Sequence, residues 1–585
     1  MSNLLTMLST GVSGLFATQA QINVSGNNIT NIDTEGYTRQ RVALSTSLSQ
    51  VTSKGVFGTG VTIEDVTQVY DSLLAATLRT ESSDLYYYST MQDELEAVEI
   101  YFNELEDGSG LGEAMANYFD AWSDLANTAT DESDEAEIKK QTVVETAAIL
   151  AEKLRASYGE LEELQSSCND QVGAYVDRIN EISQNIAYLN GEIAAIEVTG
   201  ITANDLRDNR ENLLDELAQY TNFNSSEDAN GQISVFINGH TLVDDGQSFT
   251  LSAAQTSGED NTYSIYWNTS DTRTEGVDIT SSFKSGVIGA YIDLRDDVLQ
   301  GYMDSLNELA SVLITSTNEL HSVGQGTEQL TQVTSSNGVP NATYALNSAA
   351  GTFGTSTITN GVMRISVYDS EGNLVDNLDI EVDPDTDSLK SIIDKISDAD
   401  GNPNGGLIQA SLSEDNTIKI TSESGYTFTF SEDTSGFLVA SGTYGFFTGK
   451  NASDIDVSAL VKNNISYLAT STTGAVGDNS NAANIADLKS ESLFSGSSVT
   501  LDGFYALFVS AIATDKSTAD VYTATKQNAV DEYELKLESI SGVSLDEELT
   551  NIMRFQRAYE ASARFITVID EMLDKMVNGL GTGGR

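Results

Sequence analysis

Residues 541–580 read SGVSLDEELTNIMRFQRAYEASARFITVIDEMLDKMVNGL, and this stretch decides the fold. The spacing predicts one helix. Leu545, Leu549, Ile552, Gln556, Tyr559, Ala563, Ile566, Ile569, Leu573, Met576 and Leu580 follow at steps of four and three. That is a coiled-coil seam, and the short step from Ile566 to Ile569 is a local stammer. Ser544 and Glu547 form a capping-box pattern before the first turn, and Gly579 closes the far end.

The mate of this seam lies at the opposite end of the sequence. Leu8, Leu15, Ile22 and Ile29 recur every seven residues, flanked by Leu5, Val12, Gln19 and Gly26. A helix with one apolar stripe cannot bury it alone, so each terminus needs the other terminus or a neighbouring molecule. A terminal hairpin closing a monomeric fold would explain the seams but not their placement at both extremes.

Outward from the termini, the chain reads as multidomain and mainly α. Segments 1–40 and 541–585 form a terminal coiled-coil domain. Segments 41–229, 284–325 and 455–540 form an elongated helical bundle, with short strands expected between Val42 and Val66. Its strongest stripe runs from Val143 to Ile196, about 80 Å if unbroken, with Gly159, Gly173 and Gly191 as the weak points. Asn204 is the expected cap of a following helix, and a long helix is expected from Leu501 to Ile540. Segment 230–283 reads as a β-hairpin excursion. All three prolines fall between 340 and 403, marking 326–454 as an inserted α+β outer domain of two strands, a helix and further strands.

Composition narrows the function. With 29 basic and 88 acidic residues the net charge is -59, which argues against nucleic acid and anionic membrane as partners. A single cysteine, Cys168, excludes an intramolecular disulfide and sits on the long apolar stripe as a core residue. The N-terminus lacks a secretory signal, and no apolar run reaches membrane-spanning length. The two histidines, His240 at a hairpin turn and His321 at a helix end, have no nucleophile or orienting acid nearby and read as surface or capping residues. No phosphate loop, dinucleotide fingerprint or zinc pair is present, so neither catalysis nor a cofactor is expected. Asp383, Asp385, Asp387 and Asp394 have a calcium-loop-like spacing, but Ser388 stands where the loop needs glycine, so a helix-capping turn is the simpler reading.

The stretch SGNNITNIDTEGYTRQRV at 25–42 resembles the signature of bacterial flagellar rod, hook and hook-associated proteins through Asn27, Asn28, Asn31, Thr34, Gly36, Tyr37 and Arg39. From residue types alone it would be an ordinary helix stop. The terminal stretch 541–573 is similar to the C-terminal signature of the flagellar hook-associated protein 1 family through Val543, Leu545, Asp546, Glu547, Glu548, Phe555, Gln556, Tyr559 and Ala561. NDLRDNRENLLDEL at 204–217 and GFFTGKNASDIDV at 445–457 also resemble that family.

The resemblance implies a non-enzymatic adaptor at the extracellular hook-filament junction, exported unfolded by the flagellar type III system. It implies as partners a ring of like subunits, the hook protein, the next junction protein, and a cytoplasmic export chaperone on the C-terminal helix. The assembly residues it points to are Leu8, Val12, Leu15, Ile22 and Ile29 against Leu549, Ile552, Tyr559, Ile566, Ile569, Leu573 and Met576. The alternatives are a hook or distal-rod protein, or an adhesin or enzyme displayed on the insertion.

Overall fold

The structure is a computed structural model that describes residues 2–52, 55–102, 110–128, 134–255, 262–267, 276–354, 357–398, 406–494, 496 and 498–580. In chain order its helices are α1 (Ser2–Thr30), α2 (Ser72–Tyr101), α3 (Leu111–Ala126), α4 (Asp134–Glu197) and α5 (Asn204–Tyr220), then α6 (Gly286–Asp293) and α7 (Leu299–His321). There follow α8 (Leu389–Asp398), α9 (Phe437–Ser441), α10 (Ala459–Asn463), α11 (Ser480–Asp487), α12 (Leu501–Ser541) and α13 (Leu545–Leu580). The chain forms two compact units, 1–93 with 167–295 and 517–585, and 94–166 with 296–516. These units cut across the four segments drawn from the sequence.

In the first unit, Val172, Val176, Ile179, Ile182 and Ile186 on α4 pack against Leu214 and Leu217 of α5. The same core takes in Ile233, Val235, Leu242, Val243 and Ile265 from strands. Segment 230–283 is therefore not a hairpin excursion. Together with Asn224–Glu227 it builds a four-stranded and a three-stranded antiparallel sheet. Alternation such as the buried and half-buried pattern of Ile233–Ile237 lets each sheet give one face to the helices. The glycines of α4 do not interrupt it, because surrounding packing outweighs the roughly 1 kcal/mol each costs.

The second unit holds the outer α+β module. Its strands Gly361–Asp369 and Leu374–Val382 pair antiparallel, and Tyr426–Asp433 adds to the other side of the first. A second three-stranded sheet and α8 close a core that includes Met363, Ile365, Ile392, Ile396, Phe428 and Phe430. Asp387, of the aspartate group considered for calcium, is buried against Lys395 Nζ at 2.6 Å and accepts from Ser391 Oγ at 2.9 Å.

His321 is not at the surface. It is fully buried, its Nδ1 meeting the Tyr444 carbonyl at 3.0 Å and its Nε2 accepting from the Ala469 amide at 3.1 Å. Two backbone partners and the Tyr444 and Phe446 rings make it a core residue, and burial pushes its pKa down to about 4.

α12 and α13 are separate helices with 542–544 between them, as expected from a helix ending near Ile540 and a new start at Ser544. Two local expectations at helix starts fail. The capping box does not form. Ser544 contributes its backbone carbonyl to Glu548 N at 3.0 Å, and Glu547 is drawn to Arg39. Asn204 is the first residue of α5 rather than its cap; its Nδ2 donates to the Val66 carbonyl at 2.7 Å.

Candidate functional site: the terminal helix pair and its polar clasp

The two terminal helices pack together within the first unit, and small residues set the approach. A Cβ on Gly11 would lie 2.9 Å from Ile566 Cγ1 and 3.1 Å from Phe565 Cδ1, and one on Gly14 would touch Ser562 Oγ at 3.4 Å. At Gly11 the missing Cβ lets the Ile566 side chain pack directly against the α1 backbone, whereas Gly14 is in ordinary contact. Of the seam residues expected from sequence, Ile569 is fully buried. Leu8, Val12, Leu15, Ile22, Ile29, Ile552, Ile566, Leu573 and Met576 are half-buried. Leu549 and Tyr559 remain 45% and 37% exposed, so pairing leaves apolar surface uncovered. Met553, Phe565, Val568 and Met572 on α13, with Leu5, Met7 and Phe16 on α1, extend that exposed surface.

Where α1 ends, the asparagine-rich motif folds into a polar clasp rather than a mere stop. Asn28 is 1% exposed and spends both ends of its amide. Its Nδ2 donates to the Gln40 carbonyl at 3.0 Å, while its Oδ1 accepts from Gln40 N at 3.0 Å and Tyr37 Oη at 2.9 Å. Asn31 Nδ2 donates to Asn27 Oδ1 at 3.0 Å, and Thr34 Oγ1 donates to Asn31 Oδ1 at 3.3 Å. These bonds replace the helical ones that the chain loses as it turns. Gly36 has φ of +74°, and its missing Cβ leaves room for the Asn212 carboxamide.

Arg39 ties this turn to the start of α13. Its Nε donates to Glu548 Oε1 at 2.9 Å, its Nη2 lies 2.8 Å from the same oxygen and 3.0 Å from Glu547 Oε1, and its backbone N donates to the Ser541 carbonyl at 2.9 Å. Glu548 is 2% exposed, a buried carboxylate with a matched guanidinium.

α5 supplies the opposite wall. Asp208 accepts from Thr38 N at 3.3 Å and from Gln68 Nε2 at 2.6 Å, while Gln40 Nε2 donates to Asp205 Oδ1 at 3.2 Å. Burial pushes the Asp208 carboxyl up to about 6, with Asp205 and Glu211 reinforcing and the Thr38 bond opposing. Burial also pushes Tyr37 up to about 12, helped by Asp208, Asp205 and Glu548. The other side of α5 holds α2, with Arg79 Nη2 2.7 Å from Glu211 and Nε 2.6 Å from Asp215.

Sequence reading located the motif but missed Asp208 and Asn212 as its partners. The signal was there: Asn204, Asp208 and Asn212 step by four and share one helix face. The motif residues, Glu548 and this face meet at one place, and neither histidine bonds to any of them. Among the described residues no group of three potential ligands is placed to hold a metal, and no helix is long and apolar enough to cross a membrane. The arrangement is chemically an anchor that ties the turn after α1 to the start of α13 and to α5.

Comparison with known proteins gives a consistent set of relatives. Residues 95–333 match the model of the flagellar hook-associated protein FlgK helical domain. Residues 538–580 match the flagellar basal body rod FlgEFG protein C-terminal family, and 8–38 the flagella basal body rod protein family. Flagellar hook-associated protein 1 of Bacillus subtilis is 26% identical over 600 aligned positions, covering 99% of each chain. The Escherichia coli protein of that name is 24% identical over 98% of this chain and 99% of its own. The solved flagellar hook junction protein FlgK from Burkholderia pseudomallei shares the fold at a TM-score of 0.51 and 17% identity, covering 80% of this chain and 100% of that one.

Proposed function

We propose, from the premise that this chain belongs to the flagellar hook-associated protein 1 family, that it is a structural adaptor of the bacterial flagellum that assembles at the hook tip and joins hook to filament. The observation that carries this reading is the paired but incompletely covered terminal helices, held at a set angle by a buried clasp. An apolar stripe at both chain ends is an interface awaiting neighbours, and contacts between unlike patches of identical subunits generate rings or helices. Segments 1–40 and 541–585 act as the inner tube, the helical segments as the next shell, and 326–454 as the outward face.

The partners are then other copies of the chain, the hook protein and the next hook-associated protein. Before assembly the chain leaves through the flagellar type III system, with an export chaperone holding α13, and its working place is the extracellular junction. The role is structural rather than catalytic.

Gene deletion with electron microscopy and a flagellin assay of the medium tests the placement. Hooks without filaments and shed flagellin are expected; loss of the hook as well would make the protein an earlier axial component. Ile22→Asp or Ile566→Asp should leave circular dichroism close to wild type yet abolish filament growth. Normal filaments on either variant would refute the seam as the assembly surface.

A further inference from the structure

The second unit contains a cleft of about 890 Å³ between the start of α4, the turn after α7 and the loop 470–478. Its volume is that of a small-molecule or side-chain site. Lys140 lines it and is the only buried lysine among the described residues, at 6% exposure. Its ammonium makes no ion pair there. Its one hydrogen bond is long, 3.4 Å to Thr327 Oγ1, leaving two of three donors unused.

The contrast with other lysines of this unit is informative. Lys139 reaches Asp124 at 2.7 Å, Lys462 reaches Asp456 at 2.7 Å and Lys489 reaches Asp120 at 3.0 Å, all where water already screens the charge. Lys140 is the buried one, where an unmatched charge costs most, and it has no carboxylate partner in a chain with 88 acidic residues. The acidic groups around the cleft are engaged elsewhere. Asp478 accepts from Ser471 Oγ at 2.6 Å and Thr473 Oγ1 at 2.7 Å, and Glu328 from Asn464 Nδ2 at 3.0 Å. Glu137 is exposed one turn earlier on α4 and forms no bond to Lys140. Burial pushes the Lys140 pKa down while Glu137 opposes it.

We propose that this cleft binds a carboxylate group, seated on the Lys140 ammonium. A single negative charge matches the single ammonium, and the Glu137, Glu328 and Asp478 carboxylates at the walls repel a phosphate dianion about twice as strongly as a carboxylate. The carboxylate can come from a free small acid or from an acidic side chain of a second copy, and these are separable.

Sodium acetate and sodium glutamate are titrated into the full chain by calorimetry at constant ionic strength, against sodium chloride. Wild type and Lys140→Arg should bind, and Lys140→Met should bind at least tenfold more weakly. Sedimentation without added acid reads the second source: self-association that Lys140→Met abolishes and acetate reverses assigns the seat to a neighbouring copy. If Lys140→Met does not fold by circular dichroism, Lys140→Gln takes its place. Equal binding by wild type and the uncharged variant, or no binding together with self-association indifferent to Lys140, overturns the proposal.

Discussion

Replacing Arg39 by leucine should release the clasp. Arg39 is 21% exposed and Glu548 3% exposed at the side chain, so the substitution leaves a buried carboxylate without its cation. Breaking such a pair costs about 3–5 kcal/mol, and partial exposure of Arg39 places this one near the lower figure, about 3 kcal/mol. Glu547, 57% exposed, adds less than about 1 kcal/mol. A loss of about 3 kcal/mol is roughly a hundredfold in a local opening equilibrium. The assay is amide hydrogen exchange at Arg39, bonded to Ser541, and at Gln40, bonded to Asn28. Both should exchange about a hundredfold faster while core amides of α4 around Ile179 keep their protection. Adding Glu548→Gln removes the stranded charge and should recover most of the protection. Unchanged exchange in Arg39→Leu, or no recovery in the double variant, would refute the ion pair as the tie between the chain ends.

Asp208 sets a pH dependence of the same clasp. Its carboxyl is raised from 3.8 to about 6 in the fold, so its stabilising effect is complete below 3.8 and is lost as pH rises through about 6. The difference is worth about 3 kcal/mol, and the protection of the Thr38 amide relative to its intrinsic base-catalysed rate should rise between pH 7.5 and 5, a trend that Asp208→Asn should remove. His321 acts in the opposite sense in the second unit: neutral in the fold down to about 4, it costs stability as pH falls below 6.5, by about 3 kcal/mol at full effect. Thermal unfolding of wild type against His321→Gln between pH 7 and 4.5 should show the variant losing less; parallel losses would exclude His321. Gly36→Ala meets both a positive φ and the Asn212 carboxamide, and should cost about 3 kcal/mol of local stability. Gly36→Ala combined with Asn212→Gly should recover the part due to overlap, measured by the same exchange.

The seams were legible because helical periodicity is a property of one segment. Leu8 to Ile29 and Leu549 to Met576 declare a helix and a stripe without reference to anything distant. The same holds for the strand and helix order of the 326–454 module, in which the second half of Leu374–Val382 alternates buried and exposed residues. The sheets of 224–278 were less legible. Their strands are two to five residues long, too short for alternation to distinguish one hairpin from two sheets.

Sequence alone determined the long helices, their apolar faces, and that both terminal helices carry a stripe in need of a partner. Tertiary structure alone decided which polar residues meet. Arg39 and Glu548 are 509 positions apart, and Thr38 and Asp208 are 170 apart. A polar side chain on an exposed helix face and one waiting for a distant partner look identical until the chain folds. His321 shows the same rule inside the core: its residue type and place at a helix end suit a surface cap, and only the arrival of Tyr444 and Ala469 turns it into a buried, neutral link. Local pattern fixes secondary structure through nearest-neighbour sterics and burial, whereas hydrogen-bond and charge partners are fixed by long-range packing that no local window contains.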